Sequence, residues 1–260
     1  MRVITTNQLS YGVAVLVILP PSETKSDGGR GAPLDLDTLS FPELNPVRKQ
    51  LAEALVALSA DLDASRTALG LGATQLAEVD RNAELWLSPT RPARERYTGV
   101  LYDALDHRSL TRAGKTKAAD RLAIGSALFG VVRAPDPIPA YRLSGGSKLP
   151  GMPTLAALWK SDLSPALDAV DDFVVDLRSG VYHQLGPVRD AVTATVMTEQ
   201  TDGSRKVVSH FNKHYKGLMA RELVRTRRTV RDVDGLAAVL ADAGQRVEIE
   251  APDRIVVLTD

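Results

Sequence analysis

Two arginines and one tyrosine flank a proline-rich stretch in the middle of the chain. Arg133 precedes three prolines, and Tyr141 and Arg142 follow them. Each proline holds φ at about −65° and donates no backbone hydrogen bond, so residues 134–140 are predicted to be extended rather than helical. A rigid connector of this kind would fix two arginines relative to each other, as an anion-binding site requires. The alternative is an extended crossover whose arginines are only solvated.

The densest basic region of the chain, Arg205 to Arg231, contains a single acid, Glu222. If this region is helical, Arg221, Arg225 and Arg228 lie on one face, and such a stripe matches the footprint of a polyanion. A helix face that is merely solvated, which is the alternative, usually mixes acids with bases. We therefore predict phosphate contacts from this region, and the candidate cations are Lys213, Lys216, Arg221, Arg225 and Arg228.

Two loops add further candidates for anion binding. The apolar run Val13 to Leu19 ends at two prolines, and the polar turn behind it contains Ser22 and Lys25. Loops that follow buried strands often carry ligand contacts in α/β proteins, although an ordinary strand exit is the alternative. The segment Ser144 to Lys148 is rich in glycine and serine, which is typical of an anion-binding nest, but it lacks the Walker A spacing. Lys148 is therefore a candidate as well.

A turn with two glycines, Gly70 and Gly72, separates two segments that are predicted to be helical. This arrangement is the pattern of a helix-hairpin-helix, in which glycines let backbone amides approach a DNA phosphate. Glycine pairs also end helices without binding anything, so this alternative stays open.

Metal or nucleophilic chemistry is not indicated by the residue types and their spacing. The chain has no cysteine, and the histidine pair at His210 and His214 lacks the glutamate of a zinc protease motif. No serine–histidine–aspartate grouping, dinucleotide fingerprint or carboxylate pair with informative spacing is present in the sequence. We therefore predict no metal and no cofactor, and the sequence leaves open whether the chain is an enzyme.

The overall composition is that of an ordinary globular protein with balanced charge. The 260 residues include 32 basic and 32 acidic side chains, so binding to a nucleic acid requires local segregation of charge. The apolar run at Val13 to Leu19 is much shorter than the roughly 20 residues that span a bilayer, so it is predicted to be a buried strand. We predict a cytoplasmic protein without membrane contact.

Helical and extended patterns alternate along the chain without internal repeats, which predicts a mixed α/β (α+β) fold. Residues 13–260 are expected to form a single compact domain, preceded by a disordered extension at residues 1–12. Two segments around the turn at residues 201–204 alternate like a hairpin. Two more, Arg246 to Glu250 and Arg254 to Leu258, are predicted to pair at the end of the chain.

Four stretches of the chain resemble the YaaA family of bacterial peroxide stress proteins. The first is ILPPSETK, which ends in Lys25, and the second is Tyr97-Thr98-Gly99, placed like the family's Y-x-G. The third, SALFGVVRAPDPIPAYRL, follows the family's longest motif, and the fourth is KGLMAR, which begins at Lys216. The order and spacing match over nearly the whole chain beyond the first dozen residues. One departure is Glu23, which stands in place of a family lysine that Lys25 could replace.

The resemblance implies a mixed α/β fold of the YaaA type, with a basic cleft and a helix-hairpin-helix element. It implies binding to double-stranded DNA without sequence preference, and protection against hydrogen peroxide through a low level of reactive iron. The residues that match the third and fourth motifs are Arg133, Pro135, Asp136, Tyr141, Arg142, Lys216, Gly217, Met219 and Arg221.

Two functions are compatible with these residues. The first is a DNA-binding stress protein in which the helix from Lys216 to Arg228, together with Arg133 and Arg142, contacts phosphates. The second is an enzyme that acts on a nucleotide or nucleobase in the same cleft, because phosphate binding alone does not require Tyr97 and Tyr141. In both, the proline-rich stretch is expected to form a wall of the cleft that faces this helix.

Overall fold

The structure, a computed structural model, describes residues 15–200, 203–208 and 211–259, so the extension predicted at residues 1–12 lies outside the described residues. The strands are β1 (Val15–Leu19), β2 (Arg91–Pro92), β3 (Leu122–Ser126), β4 (Gly130–Arg133), β5 (Pro137–Ile138), β6 (Phe173–Asp176), β7 (Val192–Glu199), β8 (Arg205–Val207), β9 (Arg246–Ala251) and β10 (Arg254–Thr259). The helices are α1 (Asn45–Leu58), α2 (Leu62–Leu69), α3 (Ala77–Ala83), α4 (Ala93–Arg96), α5 (Val100–Leu105), α6 (Arg112–Arg121), α7 (Leu155–Asp168), α8 (Gly180–His183), α9 (Asn212–Arg225) and α10 (Val233–Asp242). Short 3-10 helices cover Leu36–Thr38, Pro42–Leu44, Ala73–Gln75 and His107–Ser109. None of the helices in the described ranges is long and apolar enough to cross a lipid bilayer.

Eight of the described strands form one mixed sheet in the order β4-β3-β1-β6-β7-β10-β9, with β8 paired to the end of β7. The strands β3, β1, β6, β7 and β10 run parallel to their neighbours in this series. The strands β4, β8 and β9 are antiparallel to the strands they pair with. Parallel neighbours need crossover connections, and helices lie in those connections. This architecture confirms the predicted mixed α/β fold.

The strand β1 lies in the interior of the sheet, between β3 and β6. Val17 is opposite Leu122 on one side and Val175 on the other. All five residues of β1 are fully buried, so the sheet is covered on both faces at this point. A strand buried on both faces needs a continuous apolar run instead of an alternating pattern. The prediction of a buried strand before Pro20 is thus confirmed.

Both predicted antiparallel pairs are present. Thr198 of β7 is opposite Lys206 of β8, and Val257 of β10 is opposite Val247 of β9. The turn that joins β7 to β8 contains residues 201 and 202, which lie outside the described residues.

The proline-rich stretch is not helical, as predicted, but it is extended only from Pro137 onward. Residues 133–136 form a turn, in which the Asp136 amide donates to the carbonyl oxygen of Arg133 at 3.1 Å, so the prediction of an extended segment over residues 134–140 is wrong at its beginning. The stretch carries the chain from one end of the parallel strands to the other. Its strand β5 pairs with β2 in a separate two-stranded sheet. Arg133 lies opposite Ala123, near the amino end of β3, because β4 is antiparallel to β3. Tyr141 instead contacts Ser126, the last residue of β3. The arginines on either side of the prolines are therefore held near opposite ends of the sheet strands.

The helix α9 packs closely against α5, and this contact fixes the position of Lys216. A Cβ atom added at Gly217 would lie 2.2 Å from the carbonyl oxygen of Leu101 and 2.7 Å from Cβ of Ala104. Both distances are far shorter than a normal contact. Residue 217 therefore has to be a glycine for the two helices to approach this closely.

Candidate functional site at the carboxyl edge of the sheet

Three neighbouring parallel strands end at one edge of the sheet, which we call the carboxyl edge. β1 is followed there by the loop that contains Ser22 and Lys25, β3 ends at Ser126, and β6 ends at Asp176. In open α/β sheets, ligands bind outside the carboxyl ends of the parallel strands. The carboxyl edge is therefore the candidate functional site.

The amino group of Lys25 lies against two buried tyrosine rings at this edge. The backbone of Lys25 forms a β-bridge with Tyr97, which places the two side chains next to each other. Its Nζ lies 4.2 Å from the ring centre of Tyr141 and 5.4 Å from that of Tyr97. It also donates hydrogen bonds to the carbonyl oxygens of Ser22 at 3.1 Å and Glu23 at 3.5 Å. Backbone oxygens and aromatic faces thus hold the amine in one place.

Burial lowers the pKa of Lys25 from its ordinary value of 10.5 to about 7. The nearby Glu23 carboxylate opposes this change, and the Arg142 guanidinium adds to it. An amine with a pKa near neutrality is present in both protonation states under physiological conditions. Lysines of this kind serve as bases and nucleophiles.

The free energy of unfolding is expected to depend on pH through Lys25. Between pH 7 and 10.5 the unfolded chain binds the proton that the folded chain has released, so stability rises with pH in this window. Lys25→Met removes this titration. Its stability relative to the wild type should therefore decrease from about pH 6.5 to about pH 9.5, measured by urea unfolding.

The matched control for this measurement is Lys160→Met, which replaces an exposed lysine on α7. The stability of this variant relative to the wild type is expected to change little over the same pH range. If the difference between Lys25→Met and the wild type is constant with pH, the proposed titration of Lys25 is wrong.

A chain of three hydroxyl groups connects the end of β3 to the ring beside Lys25. Ser126 Oγ accepts hydrogen bonds from the amides of Leu128 at 3.2 Å and Phe129 at 3.0 Å. Both lone pairs of Ser126 are thereby engaged, so its proton goes to the Tyr141 hydroxyl 2.7 Å away. Tyr141 then donates to Tyr97 at 2.8 Å. In this order the proton of the Tyr97 hydroxyl is not used within the chain of three hydroxyl groups.

Both phenols remain protonated at neutral pH. Burial raises the pKa of Tyr97 to about 12, and it raises the pKa of Tyr141 well above the ordinary value of 10.0. The rings are held by aromatic neighbours: Tyr102 stacks on Tyr97 at 5.6 Å, and Phe129 contacts Tyr141 edge-on at 5.4 Å. The tyrosines therefore act here as hydrogen-bond donors rather than as bases.

Arg142 brings a second cation to the carboxyl edge. Its backbone is fixed by Asn82, whose side chain accepts from the Arg142 amide at 2.7 Å and donates to the Arg142 carbonyl at 2.9 Å. Its guanidinium forms an ion pair with Glu23 at 3.1 Å. Within the described residues, the buried Nε of Arg142 has no hydrogen-bond partner. This atom is shielded from solvent, so the guanidinium can reach a ligand only through its terminal nitrogens.

The end of β6 is held by a buried ion pair and by Lys216. Arg178 donates to both carboxylate oxygens of Asp176, at 2.9 and 2.7 Å. Lys216 Nζ donates to the carbonyl oxygen of Leu177 at 2.9 Å, and burial lowers the pKa of Lys216 while the Asp176 carboxylate raises it. The predicted cation Lys216 therefore binds the loop behind β6 and has little surface to offer a large polyanion.

A pocket of about 250 Å³ opens beside the loop that follows β1. Its lining residues are Pro20, Pro21, Ser22, Glu23, Thr24, Thr98, Gly99, Val100, Leu101, Tyr102 and Lys213. Thr24 Oγ1 lies 3.1 Å from both the Ser22 and the Thr98 hydroxyl oxygens, so three hydroxyl groups meet at the wall of the pocket. Gly99 has a φ of +99°, and a side chain there would come within 3.4 Å of Ser22 Oγ. The pocket thus combines hydroxyl groups with one lysine.

Two predicted site residues, Arg133 and Arg221, contact other parts of the chain. Arg133 Nη1 donates to the carbonyl oxygen of Asp120, and its guanidinium lies over the ring of Phe41 at 5.5 Å. Arg221 donates to the carbonyl oxygens of Leu105 and Asp106 at the end of α5. Both guanidinium groups are therefore engaged within the chain, Arg133 at Asp120 and Phe41 and Arg221 at the end of α5.

Several arginines of the basic region that the sequence shows as unbalanced form ion pairs with acids. Arg228 pairs with Asp242 at 2.7 Å, and Arg205 pairs with Glu248 at 2.7 Å. Arg225 pairs with Glu222 at 2.7 Å, within the region itself. Arg221 pairs with Asp106 at 3.6 Å, so all three arginines of the predicted stripe have an acidic partner in the folded protein. The prediction that the helix continues to Arg228 is wrong, because α9 ends at Arg225.

The remaining predicted anion contacts are placed as follows. The amide of Gly70 donates to the carbonyl oxygen of Arg66, and the amide of Gly72 donates to Gln75 Oε1 at 2.9 Å, so both are engaged within the chain. Lys148 is exposed in the loop behind Arg142.

Metal binding has no visible basis in the described part of the chain. No group of three histidine, aspartate or glutamate side chains there could hold a metal ion. His214 contacts the ring of Tyr215, and His210 lies outside the described residues.

Sequence reasoning missed three residues of the site: Ser126, Asp176 and Arg178. Each lies at or directly after the end of a short apolar run. A polar residue that ends a predicted buried strand is therefore the sequence feature that marks them. That signal was used only for the loop behind β1. Applied to every apolar run, it would have identified all three.

The fold and the site define a mixed α/β protein that holds a lysine and two tyrosines at the carboxyl edge of a mainly parallel sheet. The chain belongs to the family described as peroxide stress protein YaaA, because the model of that family matches residues 15–248. A UPF0246 protein of Corynebacterium efficiens is 53% identical over 239 residues, covering 90% of this chain and 95% of the relative. A UPF0246 protein of Corynebacterium glutamicum is 49% identical over 249 residues, covering 94% of this chain and 99% of the relative. A third, from Streptomyces coelicolor, is 44% identical over 243 residues, covering 92% of this chain and 94% of the relative.

Proposed function

We propose that the carboxyl-edge site binds and chemically transforms a small nucleotide-like molecule, and that this is how the chain contributes to peroxide resistance. The observation that carries the proposal is the amine of Lys25, which is held over Tyr141 and whose pKa burial lowers to about 7. A perturbed titratable group in a concave site is a general sign of chemistry. DNA binding alone would need cations that stay charged.

The pocket beside Lys25 supports a ligand of limited size. Its volume of about 250 Å³ lies just below the range of roughly 300–1,000 Å³ that is usual for drug-sized ligands. A nucleobase or a sugar phosphate suits this space. The hydroxyl groups of Ser22, Thr24 and Thr98 can bind sugar hydroxyls, and Lys213 can neutralise a phosphate. Glu23 also lines the pocket, and its charge is balanced by the ion pair with Arg142.

Isothermal titration calorimetry with ribose 5-phosphate, adenosine monophosphate and adenine tests this proposal. We expect a phosphate-bearing compound to bind, and Lys213→Ala to weaken its affinity about tenfold, because a charge-assisted hydrogen bond is lost. Lys160→Ala, on the exposed surface of α7, is the control and should bind like the wild type. Absence of binding for all three compounds, or an equal loss in Lys160→Ala, would remove the support for the proposal.

DNA binding is a second candidate, supported by a cluster of cations where α6 meets the end of α9. Lys117 and Arg121 of α6 donate to carbonyl oxygens at that end, and Arg227 is exposed nearby. Burial lowers the pKa of Lys117, and the charges of Arg121 and Arg227 lower it further. Cations gathered in one place attract the phosphate backbone.

A salt series with duplex DNA tests the second candidate. Sequence-independent binding should weaken steeply as salt increases, and Arg227→Ala should reduce the slope of log K against log salt by about 0.9 for one lost phosphate contact. Lys160→Ala should leave the slope unchanged. Equal affinity at about 50 and 200 mM salt would exclude phosphate-driven binding.

Under this second candidate, the protein protects DNA and limits reactive iron, as the resemblance implies, in the cytoplasm. The turn at Gly70 and Gly72 would serve as a helix-hairpin-helix element. Its amides would then have to exchange their bonds to Arg66 and Gln75 for bonds to a DNA phosphate.

A further inference from the structure

We infer that Lys25 is a nucleophile that forms an imine with the aldehyde or ketone group of a sugar phosphate. The inference rests on the proposed function, since the sugar phosphate must be held in the pocket lined by Ser22 and Glu23. Lys25 does not line this pocket itself, but its Nζ donates to the carbonyl oxygens of these two lining residues, so the amine lies directly behind the pocket wall. It adds a covalent step and a substrate class to that function. A sugar phosphate becomes an aldehyde when its ring opens, so the required carbonyl group belongs to the proposed ligand itself.

The hydrogen bonds of Lys25 match those of a neutral amine. A neutral amine has two hydrogens, and two carbonyl oxygens, of Ser22 and Glu23, accept from Nζ. The lone pair then remains free to attack a carbonyl carbon. The positive charge that develops on the nitrogen during attack is stabilised by the face of Tyr141, 4.2 Å away.

The hydroxyl chain supplies the acid that the reaction needs. Ser126 donates to Tyr141 and Tyr141 donates to Tyr97, so the Tyr97 proton is directed to whatever binds next to it. Because the backbone of Lys25 pairs with that of Tyr97, the nucleophile and the acid are neighbours. Tyr97 is therefore the group best placed to protonate an oxygen on the carbon that Lys25 attacks.

Imine formation conserves atoms and electrons without a further reactant. The lone pair of Lys25 forms a C–N bond, the carbonyl π electrons move to oxygen, and that oxygen takes a proton from Tyr97. The nitrogen loses a proton, which restores the Tyr97 hydroxyl and gives a carbinolamine. The remaining hydrogen on the nitrogen then leaves together with the hydroxyl group as water, and a C=N bond is left. No oxidant, reductant or metal is consumed.

Two cations near the amine select a phosphate-bearing carbonyl compound over a neutral sugar. Lys213 lines the adjoining pocket, and Arg142 pairs at 3.1 Å with Glu23, which also lines it. This pairing neutralises a carboxylate that would otherwise repel a phosphate. Ribose 5-phosphate is therefore expected to react faster than ribose.

Borohydride reduction of the full chain in the presence of ribose 5-phosphate tests the inference. Borohydride converts an imine to a stable secondary amine, which peptide mass mapping assigns to a residue. We expect Lys25 to be modified at least about tenfold faster than exposed lysines such as Lys160, and faster with ribose 5-phosphate than with ribose. Lys25→Arg should lose this adduct, whereas Lys160→Ala should keep it.

A second variant distinguishes loss of the reaction from loss of the folded structure. Tyr97→Phe retains Lys25 and removes the acid, so it should slow adduct formation about tenfold or more, while calorimetry should still detect binding of ribose 5-phosphate through Lys213 and the pocket hydroxyl groups. Modification of Lys25 no faster than Lys160 would overturn the inference. If calorimetry shows binding while Lys25 stays unmodified, the imine step fails and the proposed binding function stands. If there is neither binding nor modification, both fail.

Discussion

Replacing Arg178 with methionine is expected to lower the free energy of unfolding by about 3–5 kcal/mol. The guanidinium of Arg178 and the carboxylate of Asp176 are buried, and two hydrogen bonds of 2.9 and 2.7 Å join them. Arg178 also donates to the carbonyl oxygens of Tyr182 and Gly186. The variant leaves a charged carboxylate in the protein interior without its partner, and this desolvated charge is the source of the cost.

Urea unfolding at pH 7 measures this effect, and the chain offers a matched control. Arg254 pairs with Glu250 at 3.2 Å on the surface, where both side chains are about half exposed. Arg254→Met should change stability by less than about 1 kcal/mol, because solvent screens an exposed pair. The double variant Asp176→Leu with Arg178→Met should recover part of the loss, since no lone charge remains buried. Similar losses for Arg178→Met and Arg254→Met would show that the buried pair has no special role.

Gly217→Ala is expected to destabilise the protein by about 1–3 kcal/mol or more, although alanine is the better helix former. The added Cβ would lie 2.2 Å from the carbonyl oxygen of Leu101, a backbone atom that cannot rotate away. α9 would have to move away from α5. Because Lys216 precedes Gly217, this movement would also shift the amine that binds the carbonyl oxygen of Leu177.

Thermal unfolding distinguishes this close contact from a general effect of replacing glycine. A Cβ added at Gly146 would meet no atom within 4 Å, so Gly146→Ala is expected to be neutral within about 0.5 kcal/mol. A neutral Gly217→Ala would mean that α5 and α9 can separate without cost. The close approach of the two helices would then not require a glycine at this position.

Much of the fold could be predicted because the relevant signals are local. The apolar run before Pro20 predicts a strand buried on both faces, and β1 is such a strand. The prolines from Pro135 to Pro139 exclude a helix, since a fixed φ and a missing donor act on the backbone alone. They did not reveal the turn at residues 133–136, which interrupts the predicted extended segment. The alternation on both sides of residues 201–204 predicts the pair formed by β7 and β8. The family motifs likewise indicated the family that the comparisons confirm.

The site was predicted in part, because its members carry recognisable residue types. Lys25, Tyr97, Tyr141 and Arg142 were all candidates, and the structure brings them together at the carboxyl edge. Arg133 was grouped with them by sequence proximity. The antiparallel direction of β4 places it at the other end of the strands instead. Strand direction depends on pairing between distant segments, which spacing along the chain does not reveal.

The sequence by itself determined which segments are strands, where the chain is stiff and which cations and phenols are available. Only the tertiary structure decided which charges stay unpaired and which amine loses its proton near neutral pH. The run from Arg205 to Arg231 reads as an unbalanced positive stripe, yet Asp242 and Glu248 neutralise two of its arginines in the fold. Lys25 is one lysine among many in the sequence, and only burial against Tyr97 and Tyr141 makes it distinct. The physical reason is that charge pairing and desolvation depend on distances through space, and those distances are set by the packing of remote segments.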